Sequence, residues 1–104
     1  PEAVPLRAAN QQPRLIDLTT NRSFPITKAQ IVMGRALSSD IAIEDLNVSR
    51  THAEIRRENA NAWSVADLGS TNGTLVNGHH IASTMLQEGD RITVGTTTFL
   101  FTFR

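Results

Sequence analysis

The chain has 104 residues, with ten basic and ten acidic side chains and no cysteine. That length suits one domain with its own core; the lack of cysteine excludes a disulfide scaffold and a thiolate metal site, and the charge balance argues against a general nucleic-acid or anionic-membrane binder. No run approaches the roughly 20 apolar residues of a membrane-spanning helix, and no signal-peptide core is visible.

Residues 1–13 contain three prolines, two glutamines and no apolar periodicity, and read as a flexible linker or tail. The chain starts with Pro1 instead of Met, so a piece of a longer protein, or a processed chain, is expected. From Arg14 onward, apolar or β-branched runs alternate with turn signals. The runs are Leu15–Thr19, Phe24–Ile26, Ile31–Met33, Ile41–Ile43, Ala53–Arg57, Trp63–Leu68, Thr74–Val76, His80–Ile81, Arg91–Val94 and Thr97–Phe103. Between them stand Thr20-Asn21-Arg22, Ser38-Ser39-Asp40, Asn59-Ala60-Asn61, Asn77-Gly78 and Glu88-Gly89-Asp90. Short strands at this spacing predict a sandwich or barrel. Asn77-Gly78 predicts a hairpin, because a type I′ turn needs positive φ at both central positions. Phe99, Phe101 and Phe103 share one face of the last strand, and Thr98, Leu100 and Thr102 the other. Thr27–Gln30 and Ser83–Leu86 are too short to count as helices.

Three motifs fall where strands give way to loops. Gly34-Arg35 follows Ile31–Met33; glycine there permits a turn or a close approach, and a guanidinium fork matches two phosphate oxygens. Taken alone, Arg35 reads more readily as a surface cation in a salt bridge. Ser49-Arg50-Thr51-His52 precedes Ala53–Arg57. Ser49 can donate to a phosphate and Arg50 can add charge. His52 at a strand start reads as a partly buried ring bonded to backbone that fixes the loop. Ser70-Thr71-Asn72-Gly73-Thr74 follows Trp63–Leu68. Such residues often serve only their own turn, yet Thr71 can donate to a phosphate and Asn72 can pair with a peptide backbone. Gly73 suits positive φ, and Asn77 either braces the loop or touches a ligand.

Gly34-Arg35, Ser49-Arg50-Thr51-His52, Asp67-Leu68-Gly69-Ser70-Thr71-Asn72-Gly73-Thr74, Val76-Asn77-Gly78 and Gly89-Asp90-Arg91-Ile92, in this order, resemble the successive signatures of the forkhead-associated (FHA) domain. The resemblance covers residues 14–104 and implies an all-β twisted sandwich of about eleven strands with ligand loops at one end. It implies phosphothreonine-dependent peptide binding. By position, Arg35, Ser49, Arg50 and Thr71 resemble phosphate-binding residues, and Asn72 the residue that bonds the peptide main chain. Gly34 and His52 resemble the architectural pair that shapes the loops, and Gly73 and Asn77 are read beside them as loop-shaping from their own turn chemistry. Asn47 is neutral, so nothing there supports a preference for an acidic flanking residue.

The expected role is a signalling module that recruits a phosphorylated protein, in trans or in cis, downstream of a Ser/Thr protein kinase. No enzyme activity, cofactor, metal, nucleic acid or membrane insertion is expected, and the setting is intracellular (cytoplasmic). Three rivals are weaker. Ser49, His52 and Asp67 are triad residue types, but no nucleophile elbow is present and Ser49 lies too near His52. Gly69–Gly73 lacks the Gly-Lys-Ser/Thr end of a P-loop. His79 and His80 are adjacent on a strand and point to opposite faces. The remaining alternative is a phosphate-independent protein–protein scaffold using the sheet face or loops.

Overall fold

The computed structural model describes residues 12–104, so most of the expected tail lies outside the described residues. Pro13, expected in that tail, is buried, and its carbonyl accepts the Ile26 N–H at 3.0 Å. It belongs to the folded body.

Eleven strands occupy the described residues: β1 (Arg14–Asp17), β2 (Ser23–Pro25), β3 (Gln30–Gly34), β4 (Ile41–Ala42), β5 (Ala53–Asn59), β6 (Ala62–Asp67), β7 (Thr74–Val76), β8 (His79–Ile81), β9 (Ser83–Leu86), β10 (Arg91–Val94) and β11 (Thr97–Thr102). They build two sheets, one of six strands in the order β2-β1-β11-β10-β7-β8 and one of five in the order β4-β3-β5-β6-β9. Only β3 and β4 run parallel; every other pair is antiparallel. The expected all-β sandwich is the observed architecture.

Alternation along the strands explains the layering. Leu15, Ile92, Val94, Phe99 and Phe101 of the larger sheet and Ile31, Met33, Ile55, Trp63 and Val65 of the smaller belong to one buried cluster. Burying each such side chain favours folding by about 1.5–3 kcal/mol. Phe24 meets Phe99 edge-on at 6.1 Å between ring centroids, and Phe103 meets Phe101 at 5.4 Å. Thr102, on the face opposite the phenylalanines, is nevertheless buried, because its hydroxyl donates to Glu88 at 2.6 Å.

Strand β9 was not among the runs expected from the sequence. Its residues Ser83–Leu86 pair with Ala66–Trp63 of β6 at the sheet edge. Leu86 is buried while Met85 is half exposed, so the alternation is real but masked by an apolar residue on the solvent side.

Register decides where the loops go. Met33 pairs with Ala53, Ala53 with Asp67, and Thr74 with Val94. The end of β3, the start of β5, the end of β6, the start of β7 and the end of β10 therefore meet at one end of the sandwich.

Candidate functional site

At the end of β3, Gly34 is fixed by a close approach. A Cβ there would lie 2.1 Å from the Arg50 carbonyl oxygen. Neither backbone can retreat, because the Gly34 carbonyl accepts from Ile43 N–H at 2.8 Å while Arg35 N–H donates to the Ser49 carbonyl at 2.9 Å. The strand-end glycine thus lets the loop carrying Ser49 lie directly on β3. Gly34→Ala is expected to lower stability by about 3 kcal/mol, at the upper end for overpacking, because backbone must move. Chemical denaturation of the two proteins checks this.

Arg35 is exposed, but its Nε donates to the Val48 carbonyl at 3.1 Å. That bond orients the guanidinium and leaves its terminal nitrogens outward, with no ion pair recorded among the described residues. Arg50 is exposed and equally without a recorded acid partner. Two cations therefore stand beside the same loop without internal compensation.

His52 joins three segments. The ring is fully buried. Nδ1 accepts the Ser49 N–H at 3.0 Å, and the Nε2 side lies 2.9 Å from the Gly73 carbonyl. With Nδ1 an acceptor, Nε2 carries the hydrogen and donates to Gly73. Its own N–H donates to Met33, and its carbonyl accepts from Leu68, both at 2.9 Å. The ring ties the β4–β5 loop to the β6–β7 loop and holds Ser49 in place. The Ser49 Oγ accepts the Thr71 N–H at 2.9 Å. Its hydroxyl hydrogen is consequently directed away from that loop and is available to an outside acceptor. Asn72, exposed beside it, donates its amide to the Asn47 carbonyl at 2.8 Å and keeps its side-chain oxygen outward.

The β6–β7 loop is shaped from beneath by Asp67. The carboxylate accepts the Ser70 and Thr74 hydroxyls, the latter at 2.8 Å, and the Gly69 and Ser70 N–H groups at 3.0 and 3.1 Å. Burial alone would raise its pKa; the hydrogen bonds from Ser70, Thr74 and the loop backbone outweigh it and hold the carboxyl below its ordinary value. The Ser70 Oγ in turn accepts the Gly73 N–H at 2.9 Å. Gly73 has φ of +84°, and a Cβ there would meet the His80 ring at 2.7 Å, so glycine is required twice over.

Asp45 anchors the β4–β5 loop to the β10–β11 turn. One carboxylate oxygen accepts the Asn47 N–H at 2.9 Å; the other accepts the N–H and hydroxyl of Thr96, both at 2.8 Å, and the Thr97 hydroxyl at 2.9 Å. Burial pushes its pKa up, but the bonds from Asn47, Thr96 and Thr97 win and lower it to about 2. In the unfolded chain the same group titrates near ~3.9. A carboxyl whose pKa is depressed by folding stabilises the fold where it is ionised; that contribution is complete above the unfolded value and is lost as pH falls through about 2. The melting temperature is therefore expected to fall on acidification from about pH 5 toward pH 2. Asp45→Asn should melt lower at neutral pH and show a shallower acid limb. Thermal melts across that range test both.

The structure brings Gly34, Arg35, Ser49, Arg50, His52, Thr71, Asn72 and Gly73 to one end. Asn77 lies elsewhere. It occupies the far end of β7, with φ of +51° followed by Gly78 at +84°, the expected hairpin turn. Its side chain donates to Asp90 and accepts the Arg91 N–H, both at 3.0 Å. It braces the β7–β8 turn against β10, not the loops of the site. The triad residue types are wired for architecture: both His52 nitrogens serve backbone groups, and Asp67 serves its own loop. Sequence reasoning missed Asp45 as a support and had Ser70 only as one of several turn residues. The Asp-x-Asn spacing at Asp45-Leu46-Asn47 and the Asp67-to-Ser70 spacing are local-turn signals that could have marked them.

The FHA domain family matches residues 31–95. The glycogen accumulation regulator GarA of Mycobacterium tuberculosis is 44% identical over 72 residues, which is 69% of this chain and 44% of the regulator. The chain thus spans less than half the length of that relative. Mycobacterium tuberculosis EmbR, solved in complex with a low-affinity phosphopeptide, superposes with a TM-score of 0.85 at 31% identity, covering 88% of this chain and 24% of EmbR. A second solved domain, studied for phosphothreonine-dependent FHA domain interactions, gives a TM-score of 0.82 at 29% identity, covering 88% of this chain and 95% of the other. The chain belongs to the FHA domain family.

Proposed function

We propose that this domain binds phosphothreonine peptides and so brings the protein that contains it to a partner phosphorylated by a Ser/Thr protein kinase. The observation that carries the reading is the pairing of Arg35 and Ser49. A backbone bond of 2.9 Å joins them, Val48 orients the arginine, and Thr71 orients the serine. A phosphate placed between them would accept from the guanidinium fork and from the Ser49 hydroxyl. Thr71 contributes its hydroxyl, Arg50 adds charge from the rim, and Asn72 offers its side-chain oxygen to a peptide N–H. His52, Gly34 and Gly73 hold these donors in place. The role is recruitment and regulation, and no step needs a cofactor.

Each hydrogen bond to the charged phosphate contributes about 1.5–3 kcal/mol. Four of them, less the ordering of a flexible peptide, give an affinity on the order of micromolar, about −8 kcal/mol. The unmodified peptide lacks the acceptors, so phosphorylation switches binding on. A buried threonine methyl adds about 0.8 kcal/mol over phosphoserine. The test is calorimetric titration with degenerate phosphothreonine, phosphoserine and unphosphorylated peptide pools. Binding confined to, or strongest for, the phosphothreonine pool is expected. Equal or absent binding to all three would replace this reading with a phosphate-independent scaffold.

A further inference from the structure

Beside the phosphate-binding end lies a groove of about 480 Å³ that the proposed site does not use. It opens between β4, the edge of the five-stranded sheet, and the β1–β2 hairpin, whose β2 is the edge of the six-stranded sheet. Phe24, Ile43 and Phe99 give it an apolar lining, while Arg22 and Glu44 stand exposed at its rim. Its size is that of a ligand pocket, but its walls are two strand edges.

The two edges are not equivalent. Pro25 in β2 has no N–H to offer, which blunts that side. On β4, the Ile43 N–H donates to the Gly34 carbonyl. The two-residue alternation of a strand then turns the Ala42 N–H and carbonyl away from β3, toward the groove. Ala42 is exposed, and neither of these groups has a partner among the described residues. Beside them the buried side chains of Ile41 and Ile43 face inward. An extended segment laid along β4 would pair with Ala42 and turn alternate side chains toward Phe24 and Phe99.

We propose that the groove takes an extended, partly apolar segment of the same phosphorylated partner, added to β4 as an edge strand while the phosphothreonine sits at Arg35. The inference rests on the phosphopeptide reading above. Two features choose this occupant. First, β4 is only two residues long and offers too few backbone bonds to hold an untethered partner. A segment already held by its phosphate binds there intramolecularly, at an effective concentration in the millimolar range. Second, the groove is continuous with the site. Ala42 pairs with Gly34, the residue before Arg35. A strand added outside β4 would lie about 10 Å from β3, a span of three to four extended residues. The Asp45 clamp, through Thr96 and Thr97, joins the groove wall to the loop bearing Ser49.

The test is affinity selection by the full chain from a phosphothreonine peptide library with ten random positions on each side, beside its unphosphorylated counterpart. Apolar residues should be enriched at alternate positions, starting three to four residues from the phosphothreonine on one side. A selected peptide should bind about tenfold more tightly than its truncation to three residues on each side. Ala42→Pro removes the outward N–H at an edge position that tolerates proline. It should abolish that increment and leave the short peptide's affinity unchanged. Glu44→Arg, which leaves the backbone intact, should change the distal preference without changing short-peptide binding. No distal enrichment, or equal affinity of long and short peptides, would overturn the groove while leaving the phosphopeptide reading standing. Failure to select phosphorylated over unphosphorylated peptides would overturn both. A wild-type dimer in sedimentation that Ala42→Pro dissociates would assign the edge to a second copy and overturn the proposed occupant.

Discussion

Replacing Arg35 by alanine is expected to weaken phosphothreonine-peptide binding by about 100-fold or more while lowering the melting temperature by only about 5 °C. The binding loss follows from the guanidinium fork. Two charge-assisted bonds to phosphate oxygens are each worth about 1.5–3 kcal/mol, and about 1.4 kcal/mol is a factor of ten. The stability loss is small because the side chain is exposed and contributes one internal bond, from Nε to the Val48 carbonyl. Removing that bond costs about 1 kcal/mol. Arg35→Lys separates charge from geometry. It keeps a cation but loses both the fork and the Val48 anchor, and about tenfold weaker binding is expected. Arg50→Ala should cost fivefold at most, roughly the value of an exposed charge held by nothing else. Calorimetric titration of the three variants with one phosphothreonine peptide, beside their thermal melts, decides the matter. Near-wild-type affinity in Arg35→Ala would show that the phosphate sits elsewhere.

The contrast between Arg35 and Asp45 shows what could be read from the chain. Arg35 was legible because its signal is local: a glycine, an arginine and the end of an apolar run. The strand runs and the Asn77-Gly78 turn were legible for the same reason, since alternation and positive φ leave marks within a few residues. Asp45 marked only its local turn, through the Asp-x-Asn spacing, and not its longer reach. One of its carboxylate oxygens serves Thr96 and Thr97, more than fifty residues away in sequence, and only the folded register reveals the pairing. For Asn77 the limit was different. Its turn chemistry was clear, but whether that turn faced the ligand loops depended on the length and direction of β7. Strand β9 escaped because the apolar Met85 stands on its exposed side and the strand lies at the sheet edge, beside β6. The order of the motifs pointed to one site; the register of β3, β5 and β6 assembles it.

His52→Ala is expected to cost about 4 kcal/mol of stability and to lower the melting temperature by about 20 °C. The ring is fully buried, so its removal leaves a cavity. It also strands the Ser49 N–H and the Gly73 carbonyl, part-buried groups that each cost about 1 kcal/mol or more when unpaired. Against a total of about 5–15 kcal/mol for a domain of this kind, the variant should fold only at low temperature. Its binding defect has a separate origin. Without the ring, the Ser49 backbone loses its tie to the loop that ends at Gly73, and the Ser49–Thr71 bond loses its fixed geometry. Titration at a temperature where the variant is still folded should therefore show affinity reduced by about tenfold or more, since misplaced donors forfeit part of each charged hydrogen bond. His52→Phe restores the volume without the two bonds. It should recover some stability and little of the affinity, because filling space does not restore a donor or an acceptor. If binding vanished in His52→Ala while the melting temperature stayed put, the ring would have to act on the ligand directly. Its burial and its two backbone partners argue against that. A thermal shift together with weakened binding would mark the imidazole as the strut on which the phosphate-binding loops rest.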